Sequence, residues 1–324
     1  MDTSWVGRPI ETARLMVAVA CMAGAPYAAA QLRPPQSPFP EDFALAQAPA
    51  GPDSALPGEG RQTVTPTSEQ LRLRNAAVIG GGILLVGAYG AAKWWQDGFT
   101  GDFRTQKEGW FGQNTSSGGA DKLGHAFSAY VGTRLVAQAF NAVGNEPEPA
   151  RRLAAWSTLA VMLGIEVLDG YSKKYSFSWE DALMNVAGVG IGYLMERNRE
   201  LDNLLDFRLL YRKSEGSNFD PAGDYSGQTY LLVAKASGVP ALRENSVLRY
   251  FELAAGYGTR GYQSPPGVER ERKLYFGVSV NLSEVLAQTV FRGAKDRGFP
   301  QRATDLFLEF VQVPGTAALA SHRM

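Results

Sequence analysis

The chain has 324 residues, 45% of them hydrophobic, with 32 basic side chains against 32 acidic ones. That is enough apolar material for a real core, in one large domain or two smaller ones. Balanced charge without a basic run or stripe excludes a nucleic-acid partner.

Residues 1–30 have the layout of a secretory signal peptide. Arg8 and Arg14 precede an apolar run from Leu15 to Ala25, and Ala28-Ala29-Ala30 offers small residues for cleavage before Gln31. The run is short for a membrane anchor. The single cysteine, Cys21, lies inside it, and Ala18-Val19-Ala20 is a poor match to a lipid-attachment sequence. Cleavage after Ala30 leaves no cysteine, which excludes disulfides and thiolate metal sites from the mature chain. The expected location is the bacterial cell envelope, either periplasm or outer membrane.

Residues 31–70 are rich in Pro, Ala, Gly and Gln, including Pro34, Pro35, Pro38, Pro40 and Pro66. Such a stretch buries too little surface to offset chain entropy and is expected to be a disordered tether. From Ala76 to Ala92 the chain is apolar and glycine-rich, with Arg72 and Arg74 before it and Lys93-Trp94-Trp95 after it. This length just reaches across a bilayer, and tryptophan belongs at the interface; a buried core helix fits the same pattern.

Three more helical segments are predicted at about 121–142, 150–169 and 179–197. Gly144 with Pro147 and Pro149 marks one link, and Ser172-Lys173-Lys174 marks the next. Links this short favour antiparallel neighbours, so residues 71–204 are expected to form a membrane-associated antiparallel bundle of about four helices. Lys or Arg flanks every connection and gives no orientation.

After about residue 205 the period changes from helical to alternating. Leu274, Phe276, Val278, Val280 and Leu282 alternate with polar or small residues, as do Phe251, Leu253, Ala255 and Tyr257. Ser264-Pro265-Pro266-Gly267 between the two runs predicts a hairpin. Gln228 to Lys235 is a third strand, and Ser283 with Glu284 opens a short helix. Three or four strands are too few for a closed transmembrane barrel. The expected fold is therefore α+β, a mainly helical bundle with a small antiparallel sheet in residues 205–324.

The chemistry-bearing residues gather if the three segments run antiparallel. Asp121, Lys122 and His125 open the first, Glu166 and Asp169 close the second, and Ser178, Asp181 and Asn185 begin the third. Asp121 and His125 share a face at a spacing of four. Asp181, Asn185, Gly188 and Gly192 form one stripe, whose glycines allow a neighbouring backbone to approach. Asp121 and Ser178 also read as helix caps, with Ser178 and Asp181 in a capping box. Glu166 and Asp169 are harder to explain by structure alone, because carboxylates in a last turn oppose the helix dipole. They need partners, and Lys122, His125 and the nearby helix N-termini are available. A salt-bridge network answers that need, as does a functional pocket. His125, Glu166, Asp169 and Asp181 form a donor set for one divalent ion such as Zn, Mn or Mg. Ser178 is the one serine placed for a Ser–His hydrolase, and Lys122 and His125 with helix N-termini suit a phosphate or lipid head group.

At these residues the sequence resembles the YfiM-like family of predicted periplasmic or envelope lipoproteins. The likeness rests on Gly119-Ala120-Asp121-Lys122-Leu123-Gly124-His125, Glu166 with Asp169-Gly170, and Phe177-Ser178 through Asp181, Asn185 and Gly188, and spans roughly residues 100–200. A fainter similarity to VanZ-like membrane proteins shares the Asp-Lys-x-x-His start and the Asp-x-x-x-Asn-x-x-Gly finish. The resemblance implies an envelope location and a helical core carrying these positions; it implies no activity. The leading expectation is an envelope protein that binds lipid or a membrane partner through the polar cluster. The alternative is a metal-dependent hydrolase or transferase acting on an envelope lipid or wall component.

Overall fold

The computed structural model describes residues 66–263, 268–292 and 298–324. The expected signal peptide with Cys21, nearly all of the tether and the Ser264–Gly267 loop lie outside the described residues.

Helix α1 covers Ser68–Lys93 and so begins at Ser68 rather than Ala76, taking in the last residues assigned to the tether. The reason is a capping box: Gln70 N–H donates to Thr67 Oγ1 at 3.3 Å, and Thr67 N–H donates to Gln70 Oε1 at 3.1 Å. A two-residue strand β1 (Thr105–Gln106) pairs in parallel with β2 (Phe177–Ser178). Between and after them run α2 (Ala120–Ala142), α3 (Pro147–Tyr171) and α4 (Trp179–Arg197). Helix α3 starts at Pro147 rather than residue 150, because proline at the first position gives up no helical hydrogen bond.

Helix α2 is central. Its close contact with α4 depends on two glycines: a Cβ on Gly188 would lie 2.1 Å from Ala126 O, and one on Gly192 would lie 3.0 Å from Tyr130 O. Gly132 of α2 similarly admits Thr158 of α3. At the far end Ala137, Phe140, Ala150 and Ala154 form a small core against Val78 and Ile79 of α1. Much of the rest of α1 is exposed, including Ile83, Leu84 and Leu85. Helices α1 and α3 are both long and apolar enough to cross a membrane by length and composition, but only 6% of the apolar window of α1 is buried, against 28% in α3. The outer face of α4 is also apolar, with Leu183, Val186, Ile191 and Leu194 exposed.

A short helix α5 (Arg199–Leu204) leads into a five-stranded antiparallel sheet. Its strands are β3 (Leu205–Tyr211), β4 (Gln228–Lys235), β5 (Phe251–Arg260), β6 (Glu271–Val280) and β7 (Ala317–Arg323), neighbours in chain order. The fold is α+β. The sheet exceeds the expected three or four strands because β3 and β7 escaped the sequence reading. Phe207 and Tyr230 on one sheet face pack against Phe127 and Tyr130 of α2, which joins sheet to helices. The opposite face buries a charged set in which Arg208 pairs with Asp206 and with Glu252, the latter at 2.7 Å. Helices α6 (Pro240–Arg243), α7 (Leu282–Gln288) and α8 (Phe299–Phe310) decorate the connections. Asn281 caps α7, in place of the expected Ser283, because its side chain accepts the Glu284 N–H.

Candidate functional site

Three helix ends meet as antiparallel packing requires: α2 and α4 begin, and α3 finishes, at one end. Gly119, with φ of 89°, is the N-cap of α2, so Asp121 lies inside the first turn and is not the cap. Only a left-handed residue lets the chain turn into the helix there, and glycine adopts that backbone without strain. Freed from capping, the Asp121 carboxylate points to the Lys122 ammonium at 3.0 Å. Ser178 does cap α4, accepting the Asp181 N–H at 3.2 Å. The Asp181 carboxylate is directed to Lys122 at 2.8 Å and towards His125 Nε2 at 3.9 Å.

Lys122 is 1% exposed and is held by Glu108, Asp121 and Asp181. Sequence reasoning missed Glu108. It arrives through the β1–β2 pairing, which ties the irregular segment before α2 to the start of α4. No helical or alternating period marks it. Burial raises the Glu108 carboxyl to about 7, even though its bond to Lys122 acts in the opposite direction. Burial also opposes the charge on Lys122, yet Asp121 and Asp181 outweigh it and hold the ammonium protonated.

Glu166 occupies a separate half of the cluster. Its expected pairing with Lys122 is not what the structure shows. Glu166 Oε1 lies 3.3 Å from His125 Nδ1, and Oε2 accepts the Ser178 N–H at 3.4 Å. His125 Nδ1 also approaches Asn185 Oδ1 at 3.3 Å. Burial first, then the charges of Asp181 and Asp169, raises the Glu166 carboxyl to about 9. Asp181 is buried as well, but the charges of His125 and Lys122 hold its carboxyl below the usual range.

Asp169 completes the acidic set at a distance from the others. Its Oδ1 accepts a 2.7 Å bond from Trp95 Nε1, a partner outside the sequence expectation. Trp95 reaches it because Gly90 of α1 leaves room for the indole. Burial raises the Asp169 carboxyl. Ser178 shows no contact with His125 among the described residues; its hydroxyl accepts from Asp181 N–H and faces Glu180 Oε2 at 3.4 Å. That geometry gives no serine nucleophile.

Two groups of donors lie close enough together to hold a cation. The ligand atoms of His125, Glu166 and Asp181 lie within 4.8 Å of one another, as do those of Glu108, Asp121 and Asp181. The second group already surrounds the Lys122 ammonium, so its cation is supplied by the chain. The first group has no such occupant. Glu166 Oε1 and Asn185 Nδ2 are buried there without a hydrogen-bond partner. One imidazole and two carboxylates are a donor set of the kind that would hold a divalent ion such as Zn, Mn or Mg. Asp169, expected in this donor set, is not among these converging ligand atoms, and its Oδ1 accepts from the Trp95 indole.

Exposed aromatics ring this end of the helices. Phe103 packs edge-on against Tyr171, and the buried Phe177 packs edge-on against Trp179, a residue that is 72% exposed. Residues 107–197 match the family model described as predicted periplasmic lipoprotein (DUF2279). The chain is an exported protein of the cell envelope. The matched segment holds the whole cluster from Glu108 to Asn185, and leaves out α1, Trp95 and the sheet. No curated protein and no solved structure matches the chain.

Proposed function

We propose that this protein is a membrane-associated envelope protein that holds one divalent cation at His125, Glu166 and Asp181 and uses it to bind the anionic head group of an envelope lipid. The observation that carries the reading is the second half of the cluster. Three ligand atoms converge there, and Glu166 Oε1, buried beside His125 Nδ1, has no hydrogen-bond partner, whereas the neighbouring group is filled by the Lys122 ammonium. A buried polar atom without a partner costs about 1–3 kcal/mol, and a bound ion removes that cost.

The membrane part of the reading is supported by position. The apolar outer stripe of α4, Leu183 through Leu194, leads away from the cluster, and Trp179 stands exposed beside it. Tryptophan beside an apolar stripe suits the level of lipid head groups. Lys122 does not itself bind an anion, since the carboxylates of Glu108, Asp121 and Asp181 surround it; the head group would be held through the cation at His125, Glu166 and Asp181.

A second reading, a metal-dependent hydrolase or transferase, is favoured by Glu108. Its carboxyl sits at about 7, where a general base or acid works at physiological pH. The test is equilibrium binding of Mn(II) and Zn(II) to chelator-stripped full-length protein, followed by flotation with vesicles rich in anionic phospholipid. Saturable binding of one ion, and flotation that increases with the ion, support the proposal. Flotation unchanged by His125→Ala and by chelator contradicts the head-group role. Turnover of the lipid in the same vesicles moves the assignment to the enzyme.

A further inference from the structure

The sheet carries a second candidate site, independent of the metal cluster. Leu210 on β3 and Leu319 on β7 belong to opposite edge strands, yet both pack with Leu231, Val233 and Ala254. The sheet is therefore curled, with these side chains on its concave face. Gly256, Gly258 and Gly277 lie on the same face by strand alternation. A Cβ on them would come within 2.4, 2.8 and 2.0 Å of a neighbouring strand's carbonyl oxygen. These positions carry no side chain, and a cleft of about 470 Å³, lined by residues of all five strands, remains over this face. That volume is within the range of about 300–1,000 Å³ usual for small-molecule sites.

The cleft is polar at one end and apolar at the other. Arg212, Lys213 and Arg260 line it against a single acid, Glu215. The Arg260 guanidinium donates to the carbonyls of Ser226, at 2.9 Å, and Gln228, at 3.2 Å, and to Thr229 Oγ1 at 3.1 Å. These are neutral oxygens, and no carboxylate among the described residues pairs with it. From that end the strand register runs past Leu210, opposite Thr229, to Leu319 and Ala317, opposite Gly277 and Ser279. At about 3.3 Å per residue, the distance from the Thr229 level to the Ala317 level is about 20 Å.

We propose that this cleft binds a single-chain anionic amphiphile, with its acidic head at Lys213 and Arg260 and its chain along Leu210 and Leu319 towards Ala317. A fixed cation without a carboxylate partner attracts the head, and the apolar floor accepts the tail. The basic end also excludes a cationic or acid-free head as the preferred ligand.

The test is calorimetric titration of the full-length protein, kept soluble by an amphipathic polymer, with decyl phosphate below its micelle concentration. Decyl maltoside and inorganic phosphate are the comparison probes, and chelator is present throughout so that the metal cluster plays no part. Decyl phosphate is expected to bind one per chain, with the neutral and tail-less probes each weaker by about tenfold or more, the equivalent of one charge-assisted bond. Lys213→Glu, at an exposed position, should weaken decyl phosphate by about the same factor, and Ala317→Trp should fill the floor and block it. Equal binding of charged and neutral probes, equal binding of inorganic phosphate, or indifference to Lys213→Glu overturns the proposal. Should Ala317→Trp fail to fold, Lys213→Glu and the probe comparison decide the outcome.

Discussion

Replacing Lys122 by Met tests the electrostatic account most severely. The side chain is 1% exposed, with Asp181 at 2.8 Å, Asp121 at 3.0 Å and Glu108 in contact. Methionine fills a similar volume, so the packing loss is small and the charge loss dominates. Removing one partner of a buried ion pair costs about 3–5 kcal/mol, and here three carboxylates are left facing one another. Proton uptake offsets part of that cost. Glu108, already at about 7, would take up a proton first once the ammonium is gone. The penalty should therefore be greatest near pH 8 and shrink towards pH 5. Denaturant unfolding followed by near-UV circular dichroism reads it directly. Adding Glu108→Gln should recover part of the loss, giving a coupling of about 0.5–3 kcal/mol. Coupling of Lys122→Met with Glu166→Gln should be smaller, since Glu166 faces His125. A penalty under about 1 kcal/mol, or no dependence on pH, would refute the claim that Lys122 is the cation of the Glu108, Asp121 and Asp181 group.

Glu166→Gln should stabilise the metal-free protein at alkaline pH. With its folded value raised to about 9, the native state holds a proton that the unfolded chain releases near 4.5, so this contribution is fully present below that lower value and is lost as pH rises through the higher one. Unfolding midpoints from pH 5 to 9, with chelator, should fall more steeply in wild type than in the variant; equal slopes would be the contrary result. Gly188→Ala should cost about 1–3 kcal/mol by driving a methyl towards Ala126 O, and should weaken metal binding by prising α4 from α2; a neutral effect on both would contradict the packing described. Trp95→Phe should cost about 1 kcal/mol by leaving Asp169 without its donor, and Asp169→Asn in that background should add little, as a double-mutant cycle will show.

Much of this was legible in the sequence because helical period and charge placement point the same way. The last-turn carboxylates of α3 had no local excuse, and the Asp181–Asn185–Gly188–Gly192 stripe predicted a face that a neighbour could approach. What escaped was non-local. Glu108 lies in a stretch without any period and is delivered by two residues of parallel pairing. Trp95 was read as an interface residue, yet its indole N–H is turned inward to Asp169. The division of the cluster into a Lys122 half and a His125 half depends on side-chain direction, which spacing alone does not encode. Strand β3 does alternate, with Leu205, Phe207 and Leu209 against Asp206 and Arg208, but the run is short and follows α5 without a loop. The charges of Asp206 and Arg208 are inside, paired with each other and with Glu252. Strand β7 is short of large apolar residues for the opposite reason: most of its side chains face outward at a sheet edge.

The central claim is that the His125 half of the cluster is a cation site. Elemental analysis of full-length protein purified without chelator measures this most directly, with His125→Ala and Glu166→Gln prepared alongside. The account predicts one divalent ion per wild-type chain after equilibration with that metal, and its loss from both variants while their folds persist. An ion content indistinguishable between wild type and the two variants would contradict it.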